Sequence, residues 1–166
     1  MRNIVMFLAV LVGAVLLSGT AHAQFFGKKD FIYEKDGHAI DGYDTVAYFD
    51  LAANGQTESN GVKGSTNFSA TYEGATWLFS SQANLDKFNA EPAKYAPAYN
   101  GYCAYAAAKG SLAKIDPNAW RVVDGKLYLN FSKAVQRRWL KDVPGHIAEA
   151  DANWPELRTK LAEPGA

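Results

Sequence analysis

Apolar residues along this chain fall into short alternating runs broken by glycine-bearing turns, interleaved with stretches of helical spacing. Phe68 to Tyr72 and Thr76 to Ser80 alternate β-branched or aromatic residues with small and polar ones around Glu73-Gly74-Ala75, which predicts a hairpin. Trp120 to Val123 and Lys126 to Phe131 flank Asp124-Gly125, a pair that accepts the left-handed backbone of a tight turn, and predict a second hairpin. Each is followed by a serine able to accept a free N–H at a helix start. Ser80 or Ser81 opens a helix through Asn89 with Leu85 and Phe88 on one face, and Ser132 opens another to about Asp142 with Val135, Trp139 and Leu140 inward.

The remaining segments are read the same way. Ala39 to Asp50 suits a strand or a short helix leading into a strand after an Asp41-Gly42 turn, and 51–65 reads as a surface loop. Pro92 ends the first helix, and Gly101 to Lys109 is an alanine-rich helical segment with Gly110 as its cap. Pro144 and Gly145 break the chain before a short last helix, 151–161, with Pro155 in its first turn. Hairpins and helices in such blocks predict an α+β domain with antiparallel pairing, over residues 39–161, after an arm at 24–38. The passages Leu78-Phe79-Ser80-Ser81 and Leu129-Asn130-Phe131-Ser132 look alike, a likeness that serine capping alone explains.

The first 23 residues change the cellular setting. Arg2, an apolar run from Ile4 to Leu17 and Ala21-His22-Ala23 compose a signal peptide cut before Gln24; the run is too short for the ~20 residues that span a bilayer. A periplasmic or secreted protein, with no stable membrane insertion after cleavage, is expected. Of 17 basic and 17 acidic residues the leader removes only Arg2, leaving a net charge of −1, which gives no reason to seek nucleic acid. Aromatic residues make up 13% of the chain, enough for a core without disulfides.

An intramolecular disulfide is excluded in any case, because Cys103 is the single cysteine. An exported lone thiol is a packed small hydrophobe, a metal ligand or a reactive group. With His22 gone, His38 and His146 are the imidazoles that could join Cys103 around copper or zinc, with Asp44 or Asp116 as a carboxylate, although no motif spacing links them. Tyr43, Asp44, Tyr48, Tyr102 and Tyr105 could instead line a pocket for a small organic molecule, tyrosine offering a ring and a polar tip. A thiol-dependent redox protein or enzyme acting through Cys103 is the third alternative. The sequence has no Gly-x-Ser-x-Gly elbow, His-Glu-x-x-His pair or phosphate-cradling glycine loop, so a non-enzymatic role is favoured.

Trp77-Leu78-Phe79-Ser80-Ser81, then Phe88, Pro92 and Tyr95, resembles the YHS domain, whose pattern is an aromatic-x-Phe-x-Ser strand end, a helix bearing phenylalanine, and Pro-x-x-Tyr. Gly42 to Phe49, Gly101 to Tyr105, Lys114 to Pro117, the strand 125–130 and Asp151 to Pro155 extend the likeness to exported single-domain members over about residues 39–157. The resemblance implies a binding module, with a transition metal, copper first, as the occupant. Relatives that bind soft metals carry cysteines at the strand end and on the following helix. This chain has Ser80, Ser81 and Asn84 there, poor ligands for copper or zinc, so that site does not carry over.

Overall fold

The hairpin turns expected at Glu73-Gly74-Ala75 and Asp124-Gly125 form, with Glu73, Gly74, Asp124 and Gly125 all in the left-handed region and Ala75 already part of the returning strand. They belong to a computed structural model that describes residues 31–162. The expected leader and residues 24–30 of the arm lie outside the described residues. Residues 31–38 of that arm belong to the fold: Glu34–Lys35 (β1) pairs with His38–Ala39 (β2), and the Tyr33 N–H donates to the Asn100 carbonyl at 2.8 Å.

A 3₁₀ turn, Ile40–Gly42, leads into helix α1, Thr45–Ala53, where the sequence left strand and helix open. Asp44 decides the matter: its carboxylate caps the helix by accepting the Val46 and Ala47 N–H groups. The first hairpin joins Ser65–Tyr72 (β3) to Ala75–Phe79 (β4), antiparallel. Ser81 then caps α2, Gln82–Ala90, and Pro92 starts the single turn α3, Pro92–Tyr95, rather than only ending its predecessor. A second 3₁₀ turn, Ala98–Gly101, precedes α4, Ala104–Ala108. The second hairpin pairs Asp116–Val123 (β5) with Lys126–Asn130 (β6), and Ser132 caps α5, Lys133–Trp139.

The C-terminal segment differs from the expected break and short helix. One helix, α6, runs Val143–Leu161, with Pro144 in its first turn, where a missing N–H costs nothing, and Pro155 inside it. Packing holds the helix across Pro155. Ala150 and Leu157 are buried against the small side chains of α4, and the Asn153 amide donates to the carbonyls of Ala107 and Ala108 at 3.1 Å each. The alanines matter here because they let two helix backbones approach.

The chain is an α+β domain with a deeper internal order than the serine likeness suggests. Ala39-Ile40-Asp41-Gly42-Tyr43-Asp44 returns as Ala98-Tyr99-Asn100-Gly101-Tyr102-Cys103, and the geometry returns with it. In both, two left-handed non-glycine residues precede a left-handed glycine, and the tyrosine N–H closes the 3₁₀ turn. The Asp44 N–H donates to the Val62 carbonyl at 2.8 Å, and the Cys103 N–H to the Ala113 carbonyl at 3.1 Å. Each hairpin carries an irregularity of the same size, between Ser65 and Ser69 in one and between Asp116 and Trp120 in the other. Two units of turn, helix, hairpin and helix thus meet in a shared core cluster, with a second cluster beneath α6. Trp77, Phe79 and Phe88 fill the first, with ring centroids 4.8 and 5.2 Å from Phe88. Tyr128 and Trp139, 5.3 Å apart, centre the part beneath α6. Burial of each such ring contributes roughly 2–3 kcal/mol.

Candidate functional site

Cys103 begins α4 and is 1% exposed. Its sulfur accepts the Phe131 N–H at 3.2 Å, and its thiol lies 3.9 Å from Asn130 Oδ1. Burial raises the thiol pKa above its ordinary value, with backbone N–H groups of Ala106, Phe131 and Tyr105 pulling the other way. A thiol so placed is a hydrogen-bonding core residue, and the reactive-thiolate alternative loses its physical basis. Alkylation by a small thiol reagent at pH 8 is expected to be at least about a hundredfold slower in the native protein than in urea, because reaction requires local opening. Equal rates in the two states would show that the sulfur is accessible.

Asp44 occupies the same place in the first unit. It is fully buried, and beyond capping α1 its Oδ2 accepts the Ser80 N–H at 2.8 Å, the Ser80 hydroxyl at 2.6 Å and the Asn84 amide at 2.7 Å. The serine and asparagine that stand where metal-binding relatives carry cysteines are therefore engaged with a carboxylate inside the protein. Ser80 N–H to Asp44 and Phe131 N–H to Cys103 are the same bond in the two units.

The expected metal trio is not assembled. Among the described residues no group of three or more His, Cys, Asp or Glu side chains could hold a metal ion. His38 sits on β2 in the N-terminal segment, and His146 at the start of α6 has Nδ1 2.9 Å from the Trp139 carbonyl and packs edge-on against Tyr105. Cys103 is held by backbone and by Asn130, so its donors are already spent.

The pocket candidates converge only in part: Tyr43 and Tyr48 meet against Gly61, where a Cβ would overlap both, and the space between them is filled. Tyr48 is buried, donates to the Pro117 carbonyl at 2.7 Å and packs on Trp120. Asp44 is sealed in its network. Tyr43 lies under Lys63, Tyr105 beside His146 and Lys109, and Tyr102 against Tyr33 at 5.6 Å. Tyr43 and Tyr102 are counterparts in the two units, which explains why they lie in different places.

A cleft of about 340 Å³ opens elsewhere, between the N-terminal segment and the second unit. Tyr33 and Lys35 form one wall, residues 114–117 leading into β5 form another, and Phe131 closes it. Phe131 is the exposed large hydrophobic among the described residues, at 43%. Its backbone is tied to Cys103, so the buried thiol stands directly behind the aromatic wall. Lys114 Nζ lies 5.5 Å from the Phe131 ring centroid, while Lys35 is paired with Asp41 at 3.4 Å. Burial, with the Asp41 charge second, raises the Tyr33 pKa. Asp116 faces the cleft with Oδ1 accepting the Asn118 N–H at 2.9 Å.

Sequence reasoning weighed Asp116 as a metal ligand or a turn residue, took Lys114 only as part of the family likeness, and gave no site role to Tyr33, Lys35 or Phe131. The available signal was Phe131 itself, a large apolar residue directly before a helix cap. Residues 57–99 match the family model of the YHS domain. No curated protein and no solved structure matches the chain. No helix among the described residues is long and apolar enough to cross a membrane.

Proposed function

We propose, on the premise of the match of residues 57–99 to the family model of the YHS domain, that the chain is an exported, non-enzymatic binding module that takes a small organic ligand in the cleft closed by Phe131. The observation that carries this reading is an aromatic face left open to solvent at the wall of a cleft with polar groups around it. Export rests on the leader-like residues 1–23. Copper, the occupant the family resemblance suggests first, lacks a three-donor site among the described residues, and the thiol it would use is buried. The organic ligand is therefore the reading with physical support.

The test is a thermal-shift screen of small organic fragments and of copper against wild type and Phe131→Asp. Fragments are expected to raise the Tm of the wild type by a few degrees and to leave the variant unmoved, since ligand bound only to the native state stabilises it by mass action. Stabilisation by copper alone, equal in the two proteins, would return the metal to first place.

A further inference from the structure

The two units differ most where the cleft opens. By hairpin register, Lys63-Gly64-Ser65 in the first unit corresponds to Lys114-Ile115-Asp116 in the second, and Ser80 corresponds to Phe131. The first unit is closed at this place. Gly64 lies against Leu78 so tightly that a Cβ would overlap the Leu78 carbonyl group, and its N–H donates to the Gly42 carbonyl at 2.9 Å. Ser80 turns inward to Asp44, and Lys63 donates to the Asp41 carbonyl at 2.7 Å. In the second unit isoleucine replaces the glycine and cannot approach as closely, while phenylalanine replaces the inward serine and faces solvent. Two side-chain differences thus leave a cleft where the sister unit has a closed seam.

Charge narrows what fits there. Lys114 has no ion-pair partner among the described residues and stands over the Phe131 ring, Lys35 shares its charge with Asp41, and Asp116 lies in the same wall as Lys114. The cleft therefore favours one negative charge, and its carboxylate repels a second. Resting on the cleft reading above, we propose that the ligand is a small aromatic monocarboxylate, its carboxylate paired with Lys114 and its ring against Phe131. A ring on ring contact and a charge-assisted hydrogen bond each add selectivity of about tenfold.

Amide NMR titrations with benzoate, benzyl alcohol and phenyl phosphate test this on the purified protein. Benzoate is expected to shift the Ile115 and Phe131 amides and to bind about tenfold more tightly than benzyl alcohol, and more tightly than phenyl phosphate. Lys114→Gln should weaken benzoate about tenfold and leave benzyl alcohol unchanged; Phe131→Ser, which installs the sister unit's residue type, should weaken both. Lys63→Gln, at the corresponding place in the closed unit, should change neither. Benzyl alcohol or phenyl phosphate binding at the cleft as tightly as benzoate, or equal losses from Lys63→Gln and Lys114→Gln, overturns the carboxylate assignment and leaves the cleft standing. Absence of any shift at Ile115 and Phe131 with all the probes overturns both.

Discussion

Asp44→Ala is expected to lower the unfolding free energy by about 4 kcal/mol, within the range reserved for breaking buried charged networks. One carboxylate here serves five donors: two helix N–H groups at the start of α1, and the Ser80 N–H, Ser80 hydroxyl and Asn84 amide across the core. Alanine removes the cap, worth about 1 kcal/mol, and strands three further donors away from water, each costing about 1–3 kcal/mol before relaxation. Asparagine does not repair the loss. Its oxygen can still cap α1, but its own NH₂ then faces donors where an acceptor is needed. Cys103→Ala, at the matching position of the second unit, should cost only about 1–2 kcal/mol, because sulfur is a weak acceptor. Urea unfolding with an unchanged m-value measures both, and an Asp44→Ala cost below about 1 kcal/mol would show that the network is dispensable.

Asp44 also marks what the sequence made legible and what it hid. The hairpins were readable because Glu73-Gly74 and Asp124-Gly125 specify left-handed turns locally, and the serine caps because a cap needs only its own helix. α1 was ambiguous because its start depends on an Asp44 whose burial is fixed by Ser80 and Asn84, some 36 and 40 positions away. The single helix α6 was misjudged for a related reason. Pro155 is a local break signal, and only the distant α4 alanines supply the packing that overrides it. The duplication was open to inspection in Ala-Ile-Asp-Gly-Tyr-Asp and Ala-Tyr-Asn-Gly-Tyr-Cys, which a search for internal repeats brings out.

The cleft residues were harder to see because their meaning is comparative. Lys114, Ile115 and Phe131 look ordinary alone; against Lys63, Gly64 and Ser80 they show one unit open and the other closed. Cys103 drew attention as the single cysteine of the chain, yet it repeats the structural office of Asp44, an acceptor at a helix start that receives an N–H from beyond the hairpin. Rarity of type is a weak guide to function where a fold contains its own duplicate, since the second copy can fill the same role with different chemistry.

That role makes the protein's stability fall in alkali, and the sign follows from burial. Cys103, Tyr48 and Tyr99 all have raised pKa values, chiefly through desolvation, with the Asp151 hydrogen bond adding to Tyr99. An acid whose native pKa exceeds its unfolded one keeps a proton that the unfolded chain releases, so the unfolded state binds fewer protons and unfolding becomes easier as pH rises. Stability should therefore be insensitive to these groups below pH about 8, decline from about 8.5 as unfolded thiol ionises, and steepen above about 10 as unfolded tyrosines follow. Each group contributes up to about 1.4 kcal/mol per pH unit, so the loss between pH 10 and 12 reaches several kcal/mol, comparable to the whole stability of many domains. Two variants separate the contributions. Cys103→Ser should flatten the shallow limb between pH 8.5 and 10. Tyr48→Phe, which forfeits the bond to the Pro117 carbonyl, should be less stable at neutral pH yet lose less as pH climbs, its curve converging on the wild type at the alkaline end. Urea midpoints measured from pH 7 to 12 trace these curves, and parallel curves for wild type and Tyr48→Phe would mean that the buried phenol does not hold its proton beyond its unfolded range.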